Sequence, residues 1–515
     1  MKILNKGATM MGNAVTVDTE KKTLWKRVFS EPPAKPVIES KDEIRKKYAF
    51  WRNSIFITSY LLYAIAYISR GSFTMAMPFM SQSIGVSSKD QGLILSIAAL
   101  VYGIGRFVNG SIADRGNVKT SLPVSMFLAG LFSVGTALAP FLVHTGKWTH
   151  NMVVTYMCLF WGVSSWFQSA LFPYCAKSLI RWFPNATRTT WWANFSTSHE
   201  LGSVLVVLMS LPIARCTHAL LGRYELESFF FVPFLFSSAI AIIGFFALQD
   251  RPTSIGLPDV EEICETNFAE LTEEEREERS LEENLTYFQI LKKHILRNKV
   301  MWNLAFIYFC VYIFRTGCIS WIFKILVGTQ TKSQSFSDML GNVDHLAALK
   351  SAMPTVVGSL GIFLAPIISE KLFGGRRAAA NFWGLSIAAC AVFGFWLGSS
   401  VHSPIINPSL KNVIAFSSLG IAGFTINIPQ LLVGGICAVE STSKKVAAAA
   451  TGFASLSGYI GSSLSNLVSG SAVDYSLKKF GDARVLLICW GSIALLGAIS
   501  CIPLWNVGAR KEYSH

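Results

Sequence analysis

Charge is scarce in this chain: Asp, Glu, Lys and Arg make up 15% of its 515 residues, while 51% are hydrophobic and the mean hydropathy is +0.43. That balance excludes an ordinary soluble domain and makes lipid the expected solvent. Cysteine is present ten times but never as CxxC or with His at ligand spacing. Cys158, Cys310, Cys390 and Cys489 sit inside apolar runs, where cysteine packs as a small hydrophobe. A disulfide framework and a metal site are thereby excluded, and no cofactor is expected. No P-loop is present to bind a nucleotide, and no Ser/His/Asp or paired-carboxylate constellation argues for an enzyme. The first fifty residues lack a continuous apolar core, so the first hydrophobic helix is expected to drive insertion rather than a cleaved signal. A net charge of +14 raises the question of nucleic acid, but the basic residues are spread between apolar stretches instead of forming one module, so no such partner is expected.

What is abundant is the hydrophobic run. Runs centre near residues 67, 102, 130, 164, 202 and 238, and again near 313, 357, 388, 424, 458 and 494. A spanning helix needs about 20 mainly apolar residues, so the plan is six spans, a linker, and six more. The expected architecture is an all-α membrane protein with a tail over 1–53, a six-helix bundle over 54–248, a linker over 249–300, a second bundle over 301–506 and a tail over 507–515. Lys and Arg concentrate in the tails, the linker and the loops around Arg115, Lys177, Arg376 and Lys444, which predicts both termini in the cytoplasm. The acidic run Leu271–Arg279 and Glu261, Glu262 and Glu265 read as a solvated linker, with a surface helix after it over Leu285–Ile295. Lys41–Trp51 fits either a short interfacial helix or a solvated connection.

The halves echo each other. Tyr67-Ile-Ser-Arg70 recurs as Tyr312-Ile-Phe-Arg315, and Ser198-His-Glu-Leu-Gly-Ser203 parallels Ser457-Gly-Tyr-Ile-Gly-Ser462. Internal repeats predict a binding site between the halves near the bilayer midplane. An arginine at that depth costs roughly 2.5–3.5 kcal/mol on insertion scales, so Arg70 and Arg315 both require compensation. Two forked guanidiniums suit the oxygens of a phosphate. The alternative is structural pairing with buried acids, of which Glu200 is the clearest and Asp338, Glu440 and Asp474 lie near helix ends. Tyr63, Tyr67 and Arg70 share a helix face, as do Tyr102 and Arg106, and Tyr312 precedes Arg315 by three. Each tyrosine either touches the solute or makes an interhelical hydrogen bond. His199, beside Glu200, either adds positive charge or satisfies a helix–helix hydrogen bond.

The loop Gly110-Ser-Ile-Ala-Asp114-Arg115-Gly-Asn-Val-Lys119 resembles the loop signature of the major facilitator superfamily, with a degenerate counterpart at Ser369-Glu370-Lys371 and Arg376-Arg377. Asp114 and Arg115 would act there as a cytoplasmic latch. With Tyr67–Pro78, Trp191–Gly202, Arg251–Pro258, Val311–Arg315 and Glu440–Gly461, the chain resembles the organophosphate:phosphate antiporter family of that superfamily over about residues 45–506. The resemblance implies twelve helices in two pseudo-symmetric bundles. It places phosphate binding on Arg70 and Arg315, with His199, Tyr67, Tyr312, Tyr102, Arg106 and Tyr459 at matching cavity positions. The implied activity is exchange of a sugar phosphate for inorganic phosphate by a monomer in the cell membrane. Ser196-Thr-Ser-His199 is closer to the hexose-phosphate branch than to the glycerol-phosphate branch. A glycerol-3-phosphate antiporter, a sugar-phosphate sensor of the same fold and a general facilitator are the alternatives.

Overall fold

The computed structural model describes residues 29–38, 40–221, 225–264, 289, 292–330, 345–400, 402–438, 441 and 447–505. The acidic run Leu271–Arg279, Glu265, Asp338, Glu440, Lys444, Lys445, most of Leu285–Ile295 and the ends of both tails lie outside them.

Among the described residues the regular structure is helical, apart from one bridge between Ser30 and Gly116. The first six long helices are α1 (Lys41–Ser83), α2 (Ser88–Arg115), α3 (Val118–Ala137), α4 (His150–Trp182), α5 (Asn185–Leu221) and α6 (Glu225–Ala247). The second six are α7 (Lys299–Gln330), α8 (His345–Lys371), α9 (Arg377–Ser399), α10 (Pro408–Leu431), α11 (Ala447–Phe480) and α12 (Arg484–Ser500). Nine of the twelve are long and apolar enough to cross a bilayer by composition. The other three, α1, α4 and α11, run 43, 33 and 34 residues and mix their apolar stretches with polar residues.

Local chemistry marks the boundaries. Ser87 opens α2 with a capping box, its hydroxyl accepting from Asp90 N at 3.2 Å while its own N–H donates to the Asp90 carboxylate at 3.1 Å. Asn117 caps α3 through Lys119 N at 3.0 Å, and Asn407 caps α10 with Pro408 in the first turn. Pro429 near the end of α10 is followed by a π-helical turn over Leu432–Cys437, where the regular hydrogen-bond ladder is re-spaced. Lys41–Trp51 is helical and runs without a break into the span that follows, as the first three turns of α1, so it is not a solvated connection. The reason is Tyr48, which is buried, stacks on Trp182 at 6.4 Å and donates its hydroxyl to the Trp182 carbonyl at 2.9 Å.

In one group α1 packs on α5 and α6, α2 on α4, and α3 on α4 and α6; in the other α7 packs on α11 and α12, α8 on α10, and α9 on α10 and α12. The groups meet chiefly where α2 runs antiparallel to α11, with smaller contacts of α1 with α7 and of α5 with α8. Among the described residues four hydrogen bonds join them: Ser88 to Asp474 (2.6 Å), Ser96 with Ser463 (2.6 Å), Lys324 to Gln91 (2.5 Å) and Arg106 to Tyr459 (3.1 Å). All lie at or beyond the level of Arg106, on the side away from the chain termini.

On the terminal side, residues 29–38 strap the first group. Phe29 O accepts from Asn117 N at 2.8 Å, Lys35 N donates to Thr253 O at 2.9 Å and Ile38 N to Gly256 O at 3.0 Å. Glu31 sits 2.8 Å from Lys177 and 2.5 Å from Arg181. Burial alone would push its carboxyl up, but the hydrogen bonds from Lys177 and Arg181 prevail and hold it below the usual glutamate range. Arg181 also reaches Asp250 at 2.6 Å, and Asp250 accepts from Val118 N at 2.9 Å, so one ionic network fastens the α2–α3 loop to α4 and the end of α6.

At the opposite face Asp482 is buried between α11 and α12. Burial pushes its carboxyl up, yet hydrogen bonds from Arg484, Ser400 and Trp396 pull it down to about 2 from the ordinary 3.8. Asp482→Asn should therefore destabilise the purified protein by roughly 2–3 kcal/mol near neutral pH through loss of charge-assisted hydrogen bonds. Because the folded value is the depressed one, this stabilisation is complete above the unfolded value of 3.8 and is lost as pH falls towards about 2. Thermal melting should accordingly show the wild-type advantage shrinking across that window, and a pH-independent difference would contradict the assignment.

Candidate substrate-binding site

The sequence places one arginine two-thirds of the way along α1 and another midway along α7. Helix packing then decides what surrounds each. Arg70 is half-buried, its guanidinium 4.6 Å from the Tyr67 ring and 4.2 Å from the Tyr102 ring, with Nε donating to Gln168 Oε1 at 3.2 Å. Arg106 lies 4.3 Å over Phe172 and donates to the Tyr459 hydroxyl at 3.1 Å. Arg315 is half-buried with its Nε buried and without an acceptor. Among the described residues none of the three forms an ion pair with a carboxylate within 4 Å, although Glu200 lies within electrostatic reach of Arg315.

These magnitudes matter. A cation–π contact contributes about 0.5–2 kcal/mol, the upper end when desolvated, so two such contacts and a hydrogen bond offset the roughly 2.5–3.5 kcal/mol insertion cost of Arg70. They do so without removing its charge.

The aromatic residues form two chains, one within the first group of helices and one across the seam, bridged by the Arg70 guanidinium between Tyr67 and Tyr102. Tyr63 meets Tyr67 at 5.4 Å, Tyr67 meets His199 at 5.4 Å, Tyr102 meets Tyr459 at 4.9 Å, Tyr459 meets Tyr312 at 5.5 Å and Tyr312 meets Tyr308 at 4.8 Å. Two glycines make these meetings possible. A Cβ at Gly202 would lie 2.1 Å from Ala64 O and 2.8 Å from the Tyr67 Cβ, so α5 brings His199 to Tyr67 only because position 202 has no side chain. A Cβ at Gly103 would lie 2.7 Å from the Tyr459 Cβ, at the crossing of α2 and α11. His199 Nε2 is 3.1 Å from Glu200 Oε1, and Glu200 is 7% exposed.

The structure thus brings together Arg70, Arg106, Tyr63, Tyr67, Tyr102, His199, Tyr312 and Tyr459, with Arg315 beside Tyr312. Asp114 and Arg115 are elsewhere: both are exposed on the terminal side, where the Asp114 carbonyl accepts from Lys177 Nζ at 3.1 Å, and among the described residues neither side chain makes an ion pair or hydrogen bond. Residues 442–446 lie outside the described residues. Sequence reasoning missed Gln168, the partner of Arg70, and Lys324, a 7%-exposed cation bonded to Gln91. It also missed the buried acids Asp250 and Asp482. Lys324 had a signal, being ionisable within an apolar span; Gln168 had none beyond polarity.

The model of the family described as Major Facilitator Superfamily matches residues 59–466. The chain belongs to the major facilitator superfamily. A protein of Salmonella typhimurium named membrane sensor protein UhpC is 30% identical, with 94% of this chain and 98% of that protein covered. A probable hexose phosphate transport protein of Chlamydia pneumoniae is 28% identical over 95% and 99% of the two chains, and a glycerol-3-phosphate transporter of Bacillus subtilis 28% identical over 93% and 98%. These relatives set the chain within the organophosphate:phosphate antiporter type, whose members are not enzymes. Among solved structures, an inward-facing bacterial homolog of the human lysosomal transporter Spinster superposes with a TM-score of 0.62 at 16% identity, covering 89% of this chain and 95% of its own. That likeness establishes the shared fold.

Gly202→Val should force α1 and α5 apart and separate Tyr67 from His199. A loss of about 1–3 kcal/mol in stability is expected from overpacking, together with weakened solute binding in the purified protein. Unaltered binding with an unaltered melting temperature would show that the crossing is not tight.

Proposed function

We propose that this chain exchanges a sugar phosphate of the hexose 6-phosphate class for inorganic phosphate by alternating access, with both tails in the cytoplasm at the cell membrane. The observation that carries the reading is the charge at the seam. Three guanidiniums, Arg70, Arg106 and Arg315, sit at the seam with one carboxylate, Glu200, which lies within reach of Arg315 and not of the other two. Two positive charges remain in a partly desolvated setting, and a phosphate dianion matches them. The names of the relatives support a phosphorylated solute.

The mechanism follows from where the cations sit. Arg70 and Arg106 belong to the first six helices and Arg315 to the second, so an anion between them bridges bodies 54–248 and 301–506. Bridging lowers the repulsion that opposes their approach, and rocking proceeds most readily when a phosphate is present. An unloaded return would desolvate like charges, which makes the cycle an exchange. Tyr67, Tyr102, Tyr312 and Tyr459 supply hydroxyls at the rim, and His199 tied to Glu200 orients the α5 wall. Asp114 and Arg115 act as a latch on the cytoplasmic face, and the protein works as a monomer.

Proteoliposomes loaded with phosphate test this directly. Labelled glucose 6-phosphate should enter, and internal phosphate should accelerate entry. Uptake indifferent to internal phosphate would remove the exchange mechanism. The 30%-identical sensor supports a second reading, recognition without transport; tight binding with no counterflow would decide for it. Arg70→Lys and Arg315→Lys each keep the charge but lose the fork. Loss of a charge-assisted forked contact of about 3 kcal/mol corresponds to a decrease of roughly a hundredfold in transport, and normal transport by both variants would favour a structural role.

A further inference from the structure

The second six helices hold a polar pair that the phosphate clasp does not use. Helix α10 runs antiparallel to α7: Gly434 lies against the Tyr308 ring, and Asn427 shares a cavity with Arg315. That register sets Gln430 level with Tyr312. The shared cavity has a volume of about 10 Å³ and is lined by Arg315, Cys318, Pro354, Gly423, Ile426 and Asn427. It has room for about one water-sized group.

Two polar atoms at this cavity, and a third one helical turn beyond it, have no partner. Asn427 is 3% exposed and its Oδ1 is buried with no donor. Gln430 Oε1, one turn along the same face, is likewise buried with no donor, and Arg315 Nε is buried with no acceptor. The Asn427 Nδ2 is turned towards α8, where an added Cβ at Gly358 would come within 2.2 Å of it. Cys318, Pro354, Gly423 and Ile426 offer no strong side-chain donor. Native proteins rarely leave such acceptors unsatisfied.

We propose that Asn427 and Gln430 form the subsite that recognises hydroxyl groups of the organic part of the solute, adjoining the phosphate held by Arg315. The proposal rests on the reading of the protein as one that binds a sugar phosphate. A hydroxyl has the complementary chemistry, since it donates to the Asn427 carboxamide oxygen while accepting from Arg315 Nε. Gln430 offers a second acceptor to the next hydroxyl along the chain of a polyol. Inorganic phosphate has no such extension and satisfies only the guanidiniums. Sites built to hydrogen-bond a hydroxyl discriminate strongly against ligands that lack it, because the buried polar group is then left unpaired.

The test is equilibrium binding to the full-length protein in nanodiscs, with glucose 6-phosphate and inorganic phosphate as the two probes. Wild type should bind glucose 6-phosphate more tightly than phosphate. In Asn427→Leu and in Gln430→Met the ratio of the glucose 6-phosphate Kd to the phosphate Kd should rise at least tenfold. An unchanged ratio overturns the proposal, including the case where both ligands weaken in parallel, which would make Asn427 a positioning residue for Arg315. Equal affinity of the wild type for both probes also overturns it. Should Asn427→Leu fail to fold, Gln430→Met carries the same test at a less buried position. Equilibrium binding needs no flux, so absent counterflow would count against exchange alone and is distinguishable from loss of the ratio.

Discussion

Everything in the centre of this molecule depends on holding guanidinium groups away from bulk water without neutralising them. Aromatic faces do this well: Tyr67 and Tyr102 flank Arg70, and Phe172 underlies Arg106. A ring quadrupole lowers the energy of a cation while leaving its charge for a ligand, whereas a carboxylate partner would cancel it. The tight glycine crossings exist to deliver those rings, because a side chain at Gly202 or Gly103 would push the helices apart. Packing and electrostatics are therefore one problem here.

The same logic governs how the halves meet. On the side away from the termini the seam is tied: Ser88 to Asp474, Ser96 with Ser463, and Lys324 to Gln91. These are single hydrogen bonds, worth about 0.5–1.5 kcal/mol net for the Ser96–Ser463 pair and about 1.5–3 kcal/mol for the two that involve Asp474 and Lys324, so the seam is held by a few discrete contacts. Contacts of that strength are compatible with the rocking motion proposed above. The strap over residues 29–38 behaves differently. It binds the α2–α3 loop, α4 and the end of α6 through Glu31, Lys177, Arg181 and Asp250, all within one half, and stiffens that half as a unit.

The recognition surface is asymmetric. The first six helices contribute two cations and most of the aromatic rings, while α10 contributes carboxamides. In the proposed reading charge capture is shared by both groups of helices, since Arg315 lies on α7, while identification of the uncharged part falls to the second group alone.

Much was legible from composition and spacing. The all-helical membrane fold follows from runs of about 20 apolar residues, the weight given to the paired Tyr-x-x-Arg motifs from ionisable residues placed where lipid penalises them, and the family from the resemblance of short motifs such as Gly110–Lys119; those are local properties, readable one segment at a time. The extension of α1 back to Lys41 was not, because it is held by Tyr48 against Trp182, 134 positions away. Nor were Gln168 beside Arg70, Lys324 against Gln91, or Asn427 beside Arg315. A glutamine or asparagine in an apolar helix has no periodic signature that names its partner. Which of them faces a cation, a backbone or another helix is set by how helices distant in sequence cross, and that crossing is a property of the packed whole.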